Sequence, residues 1–261
     1  MKICICYFSG TGNTEYIAKR MAELFTGKNN IVSCRSIEKI KEFSNGDYDL
    51  LIIGGPIYSG NVPWKLLQCI TKKIPPSPKN RNAIVYTTSA GLLNANGVKS
   101  ISGRLKKKGY KIIANELFVM PRNYYFHNYL PMEDNYIKKL ITDAEDKIRT
   151  LVQYVQDGEF LEEKFSKKGY SLLDFNARLF RLFSRFGGKN FSVNENCVRC
   201  MKCVRDCPQQ NIRLKKNRIR YGSSCILCTR CIHNCPAHAI EYGGELYKQY
   251  RLADYLGNKK S

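Results

Sequence analysis

The chain has 261 residues, 43% of them hydrophobic, with 12 cysteines and a formal net charge of +21. That length allows one large domain or two ordinary ones, and that apolar share can bury a proper core, which excludes a disordered chain. No apolar run reaches the roughly 18 residues a membrane span needs, and the opening apolar run is too short for a signal-peptide core, so a cytoplasmic protein is expected. The basic excess has two readings, a genome-wide composition bias or electrostatic steering toward an acidic partner. The cations are spread along the whole chain without a nucleic-acid-binding motif, so nucleic acid is not an expected partner.

Residues 1–157 alternate in type. "KICICYF" reads as a strand, and "NTEYIAKRMAELF" as a helix with Ile17, Met21, Leu24 and Phe25 at helical spacing. "NIVSCRSI" is a second strand. "YDLLIIGG" is a continuous apolar run ending in glycines, as a buried parallel strand should be. A helix opened by Pro63 follows, then strand "NAIVYTTS", a helix over "GVKSISGRLKKKGY" closed by Gly109, strand "KIIANELFVM", and a long helix ending at Gly158. This βαβ order predicts an α/β domain over residues 1–158, a doubly wound parallel sheet with helices on both faces.

Residues 159–190 form a connecting amphipathic segment. Leu172, Phe175, Leu179, Leu182, Phe183 and Phe186 recur at helical spacing, interleaved with Arg178, Arg181 and Arg185, up to Gly187 and Gly188. Such a helix either packs one domain on the other or lies on a membrane surface as a peripheral contact. Residues 191–245 carry a cysteine duplication in a small α+β domain, with "IRLKKNRIRY" between its halves as a hairpin. Residues 246–261 read as a polar surface tail.

The duplication runs "CVRCMKCVRDCP" and then "CILCTRCIHNCP", each C-x2-C-x2-C-x3-C-P. Three thiolates at this spacing wrap one face of a cubane, and the fourth ligates the other cluster. Cys197, Cys200, Cys203 and Cys235 are thereby assigned to one [4Fe–4S] cluster, and Cys225, Cys228, Cys231 and Cys207 to a second. Structural zinc sites use ligand pairs with a long gap between them, so zinc does not suit three ligands in a row. Residues 191–245 resemble a bacterial two-cluster ferredoxin of the clostridial type, which implies one-electron carriers.

"SGTGNT" lies directly after the first strand and opens a helix, the context of an anion site. Gly10 and Gly12 let the backbone approach, and Ser9, Thr11, Asn13 and Thr14 add side-chain donors. It is neither a Walker loop nor a dinucleotide fingerprint. The stretch resembles the phosphate loop of flavodoxins, T/S-x-T-G-x-T, and the strand order agrees over about 150 residues. The resemblance implies FMN, with its ring held by two loops at strand C-termini. The first contains Pro56, Ile57, Tyr58, Ser59 and Gly60, with Tyr58 as the aromatic over the ring and the Ser59–Gly60 peptide beside flavin N5. The second contains Thr88, Ser89, Ala90 and Gly91. It lacks the stacking tyrosine that flavodoxins commonly carry. One flavin face is then open to a substrate or covered from elsewhere, with Asn123 and Tyr124 of "MPRNYYFHNY" as candidates against the reading of a plain edge loop.

Cys4 and Cys6 share a strand face and read as core thiols, as do Cys34 and Cys69. His233 reads as a surface residue, since all cluster ligands are supplied without it. His127 and His238 have no partner visible in sequence, and Trp64 either packs or edges the flavin. The whole chain resembles a flavodoxin–ferredoxin fusion. That implies an electron-transfer protein relaying single electrons between two [4Fe–4S] clusters and FMN, with an acidic ferredoxin or reductase as partner. The alternative is a flavin-dependent oxidoreductase acting on a quinone, nitro compound or porphyrinogen, with the clusters as conduit. A head-to-tail homodimer pairing the flavin of one chain with the clusters of another is a further arrangement. Neither ring loop contains Asp or Glu, so the charge repulsion opposing an anionic hydroquinone is missing. A redox titration is expected to place the hydroquinone couple above that of an acidic flavodoxin; an equal or lower potential contradicts this.

Overall fold

The computed structural model describes residues 1–27, 29–41, 43, 48–77, 80–91, 95–126, 129–159, 161–162 and 170–257, with backbone alone at 95, 161–162 and 170–174. Chain packing separates two compact units. The first comprises Met1–Ser9, Asn13–Pro121 and Ile137–Ala177; the second comprises Gly10–Gly12, Arg122–Tyr136 and Arg178–Ser261. The segment after the last long strand, expected inside the first domain, thus packs with the C-terminal part.

The first unit is built from β1 (Lys2–Tyr7), α1 (Asn13–Thr26), β2 (Ile31–Ser36), β3 (Leu50–Pro56), α2 (Trp64–Lys72), β4 (Asn82–Ser89), α3 (Ala95–Lys106), β5 (Lys111–Val119), α4 (Asp134–Gln156) and β6 (Leu161–Glu162). The strands form one parallel sheet in the order β2-β1-β3-β4-β5-β6. Its first five strands give the doubly wound order 2-1-3-4-5, whose direction of winding reverses between β1 and β3. β6, not foreseen, pairs through Ala114–Leu161 and Asn115–Glu162; two residues carry no periodicity. Central β3 and β4 are buried along most of their length, whereas edge β2 is half-exposed, which explains the continuous apolar runs of the former. α1 is joined to α4 where Tyr16 and Arg20 both donate to Glu145, at 2.6 and 2.8 Å, while α2 packs with α3. Pro63 is the N-cap of α2 rather than its first helical residue.

Gly54 on β3 lies flat under the ring of Tyr86, and a Cβ there would sit 1.8 Å from the ring carbon Cζ. Tyr86 is fully buried and its hydroxyl donates to the Thr14 carbonyl at 3.1 Å. The ring therefore passes over the only kind of residue that admits it and braces the start of α1 from β4.

The second unit is α+β. Its elements are α5 (Tyr170–Gly187, entering from the first unit), β7 (Phe191–Val193), α6 (Lys202–Asp206), β8 (Ile212–Lys215), β9 (Arg218–Tyr221), α7 (Arg230–His233), β10 (Ile240–Tyr242) and β11 (Glu245–Leu246). The sequence duplication returns as strand, cysteine loop, short helix, strand: α6 starts at Lys202 and α7 at Arg230, 28 positions on. β11-β10-β7 form one antiparallel sheet and β8-β9 the expected hairpin. The hairpin turns at Lys216 (φ 46) and Asn217 (φ 59), both left-handed as a type I′ turn requires. The core joins Phe126, Phe191, Leu227, Ile232, Ile240 and Tyr242, with Phe126 and Tyr242 stacked at 3.9 Å. The expected surface tail is corrected in part: Tyr250 is 1% exposed and Leu252 is buried. Among the described residues no helix is long and apolar enough to cross a membrane.

Gly54→Ala is expected to cost at least about 2 kcal/mol, because backbone and a fully buried ring must separate. A denaturant midpoint unchanged from wild type would show that the Tyr86 ring has room to move.

Candidate functional site

The loops expected to hold the flavin follow the C-terminal ends of β1, β3 and β4. Ser9 follows β1 and is buried; Asn13 and Thr14 open α1 and are buried too. The Asn13 side-chain amide donates to the Pro121 carbonyl at 2.8 Å, and the Thr14 and Thr88 hydroxyls share a hydrogen bond of 2.7 Å. Two side chains expected to face an anion are thus committed to the scaffold, and so is the Thr88 hydroxyl. Thr14 ties the start of α1 to the end of β4. The positive end of the α1 dipole remains as the attraction for a phosphate. Gly12 stands at φ 110, a conformation closed to other residues.

The first ring loop leaves β3 at Pro56, and the Ile57 N–H donates to the Thr88 carbonyl at 2.9 Å. Tyr58 N–H donates to the Asn61 carbonyl at 2.8 Å, closing a turn whose two central residues, Ser59 (φ 49) and Gly60 (φ 87), are both left-handed. Ser59 is exposed and Tyr58 half-buried. In the second loop Thr88 is buried, Ser89 and Ala90 are half-buried and Gly91 (φ 94) is exposed; Leu92–Asn94 lie outside the described residues. Trp64 is 40% exposed with the Arg104 guanidinium 6.0 Å from its ring centre.

In the second unit several cysteines are half-buried, and four of them line one cavity. Burial first, then the thiols of Cys235, Cys197 and Cys200, push the Cys203 thiol up to about 11. Burial and the thiols of Cys228, Cys225 and Cys207 push Cys231 well above its usual value. Burial likewise raises Cys225 to about 12, with Cys228 and Cys207 adding to it. The thiols that bear electrostatically on Cys203 and on Cys231 thus form two separate sets, each with one member from the other half of the duplication. Cys207, Cys225, Cys228 and Cys231 all line one cavity, beside Pro208 and Tyr221. Among the described residues no three His, Cys, Asp or Glu side chains converge as a single metal ion requires.

The backbone around the thiols repeats with them. Arg199 (φ 52) and Met201 (φ 62) are left-handed in the first loop, and Leu227 (φ 51) and Thr229 (φ 56) occupy the same places in the second. Left-handed non-glycine residues cost on the order of 1–3 kcal/mol each. Alternation of such residues turns N–H groups inward into a concavity suited to anions and iron–sulfur clusters. Amide donors already reach sulfur: Asn211 to Cys207 at 3.3 Å, Ala239 to Cys235 at 3.4 Å and Leu227 to Cys225 at 3.3 Å. The Tyr221 hydroxyl is buried without a hydrogen-bond partner, and Cys231, Cys203, Cys235 and Cys207, drawn from both quartets, are the thiols that bear on it. An orphaned donor among thiols, strained inward-turned loops and a thiol-lined cavity fit a sulfur-rich anionic cluster.

Asn123, picked as a flavin cover, is instead a hub. Its amide donates to the Thr11 hydroxyl, and its carbonyl accepts from His233 Nε2 at 2.7 Å. His233 is buried, which corrects its reading as a surface residue. Tyr250 N–H donates to its Nδ1 at 2.9 Å, so the proton sits on Nε2; burial pushes the ring down to about 4 and keeps it neutral. Tyr124 packs edge-on against Phe126 in the aromatic core. Arg230 donates to the Gly10 carbonyl at 3.0 Å and to the Asp206 carbonyl at 2.7 Å. Arg230 was invisible to sequence reasoning because its partner in the phosphate loop stands 220 residues away. His238 meets the Tyr247 carbonyl at 2.8 Å, and His127 lies outside the described residues. Of the remaining cysteines, Cys6 and Cys69 are buried while Cys4 and Cys34 are half-buried. The Cys4 and Cys6 sulfurs stand 3.6 Å apart, a contact that brings Cys4 down to about 7 and pushes Cys6 up.

Thr14→Val is expected to cost about 1–2 kcal/mol, since it strands the buried Thr88 hydroxyl, whereas Thr14→Val with Thr88→Val should recover most of that loss. Additive losses in a denaturation cycle would show the two hydroxyls to be independent.

Residues 4–121 match the family of the flavodoxin domain. No curated protein matches the chain. Among solved structures, a cysteine-to-serine mutant of the flavodoxin from Pseudomonas aeruginosa is 15% identical, with 60% of this chain and 99% of that one covered at a TM-score of 0.45. Flavodoxin from Fusobacterium nucleatum bound to flavin mononucleotide is 16% identical, covering 60% and 98% at a TM-score of 0.43. Two-electron reduced Megasphaera elsdenii flavodoxin is 19% identical, covering 56% and 98% at a TM-score of 0.41. The parallel order 2-1-3-4-5 and the family match together make residues 4–121 a flavodoxin domain.

Proposed function

We propose that the chain is an electron-transfer protein that relays single electrons between two [4Fe–4S] clusters and FMN. The cavity lined by Cys207, Cys225, Cys228 and Cys231, with the partnerless Tyr221 hydroxyl beside it, supports this reading most directly. Cys197, Cys200, Cys203 and Cys235 would hold one cluster, and Cys225, Cys228, Cys231 and Cys207 the other. The flavodoxin domain would hold FMN through Ser9–Thr14, Pro56–Gly60 and Thr88–Gly91. When bound, the clusters supply one-electron chemistry and the flavin one- or two-electron chemistry, so together they convert between the two.

The chain's own residues set the terms. Burial raises Cys203, Cys225 and Cys231, so cluster assembly would have to remove their protons against that shift, and loading is favoured as pH rises. The inward-turned loops offer N–H donors that lower the energy of an anionic cluster. Ser59 and Gly60 fix a turn in which Ser59 is exposed and Gly60, buried, adds no side-chain bulk.

A partner surface is supported by the β8-β9 hairpin. Arg213 stands directly opposite Arg220, and Lys215 opposite Arg218, all exposed. Like charges facing each other across strands destabilise a hairpin. An acidic ferredoxin or reductase docking there would relieve the repulsion and gain a salt-dependent association rate.

Anaerobic purification should yield about eight iron atoms and eight sulfides per chain with one FMN, and Cys235→Ala should lower the iron to about four. Zinc in place of iron, or no flavin, overturns the reading. With a reduced acidic ferredoxin as sole donor, flavin reduction should slow steeply with salt, and Arg213→Glu with Arg220→Glu should slow it about tenfold at low salt. A rate indifferent to both would remove the acidic partner.

A further inference from the structure

From Phe175 to Gly187, helix α5 buries one side and leaves the others largely in water. At 3.6 residues per turn, Phe180, Ser184 and Gly187 share a side. Phe180 packs on the aromatic core, Ser184 is buried and Gly187 lies against Leu227. Leu179, Leu182, Phe183 and Phe186 share a second side. Leu182, Phe183 and Phe186 are 55%, 67% and 61% exposed, and Phe175 earlier in the helix is exposed as well. Arg178, Arg181 and Arg185 share the third side, all exposed, followed by exposed Lys189. No acidic residue occurs from Phe175 to Asn190. Beside the apolar side opens a cleft lined by Tyr124, Phe180, Phe183, Phe186, Leu227 and Tyr242.

A surface that faces only water gains nothing by presenting large phenylalanines in a continuous row. We infer that this face of α5 docks on an anionic lipid bilayer, with Leu182, Phe183 and Phe186 entering the headgroup–acyl boundary and the arginine side meeting lipid phosphates. The division into a deep apolar side and an adjoining cationic side is the pattern of a helix lying in the interface plane. An acidic protein surface would answer the arginines but not the phenylalanines. A second copy of this chain would answer the phenylalanines but would bring its own arginines against these. The apolar cleft adds a place for an acyl chain to enter beside Phe183. The docking needs only one helix face, so it stands apart from the electron-relay reading.

The test is co-sedimentation of the full, cofactor-loaded protein with vesicles of phosphatidylcholine, with and without phosphatidylglycerol. Binding is expected to the anionic vesicles and to weaken with salt. Phe183→Glu with Phe186→Glu should lower the vesicle partition about tenfold or more, and Arg178→Ser with Arg181→Ser and Arg185→Ser should remove the preference for phosphatidylglycerol. Both variants should keep wild-type cofactor content and unfolding midpoint, since the altered side chains are exposed. Three results overturn the inference: no sedimentation with anionic vesicles, equal binding by the apolar variant, or a dimer in sedimentation velocity without lipid that Phe183→Glu dissolves.

Discussion

Apart from α5, the second unit is built of two- to four-residue strands and four- or five-residue helices, and cysteines stand where it would otherwise need more hydrophobic core. Elements that short have no independent stability. Six apolar side chains form the core proper, and Cys203, Cys225, Cys231 and Cys235 pack directly against it. The same burial that lets Cys203, Cys225 and Cys231 act as core residues raises their proton affinity. Under the proposed reading, what the thiols would hold and what keeps the unit folded become one question, because folding and metal binding are then coupled.

Backbone strain follows from that constraint. Thr229 is β-branched and left-handed, an outlier that the chain retains at the N-cap of α7, and Met201 holds the same conformation at the N-cap of α6. The Thr229 hydroxyl stays close to home, donating to the Cys228 carbonyl at 2.8 Å. Two copies of one strained loop, 28 positions apart, show the strain to belong to the cysteine spacing and not to local sequence, since Arg-x-Met and Leu-x-Thr share no chemistry. Burying a neutral imidazole at His233 completes the frame: it takes a proton donor from Tyr250 and gives one to Asn123, so two loops are held without a charge near the thiols.

Legibility in the sequence followed periodicity. β3 and β4 were readable because buried parallel strands write long apolar runs, and the β8-β9 hairpin because apolar and basic residues alternate along both strands. The phosphate loop was readable as a stretch, but the duties of its side chains were not: Thr14 is turned to Thr88 and Asn13 to Pro121, partners 74 and 108 residues off. β6 was lost because two residues have no pattern. His233 and Tyr250 were misjudged for a shared reason: each is polar or tail-located by sequence, and each is buried only because the other satisfies it.

The distribution of charge separates two kinds of surface that composition alone merges. On the β8-β9 hairpin, cations face cations with only Leu214 and Ile219 between them, and the repulsion is relieved by negative charge. On α5 the cations flank a broad apolar row, and relief of the charge leaves the row still in water. A single polyanion cannot satisfy both. Under the two proposals the hairpin is a polar face for an acidic protein and α5 an amphipathic face for lipid, and their responses to salt differ: screening abolishes a purely charged contact, whereas burial of Leu182, Phe183 and Phe186 would persist when the arginines are screened.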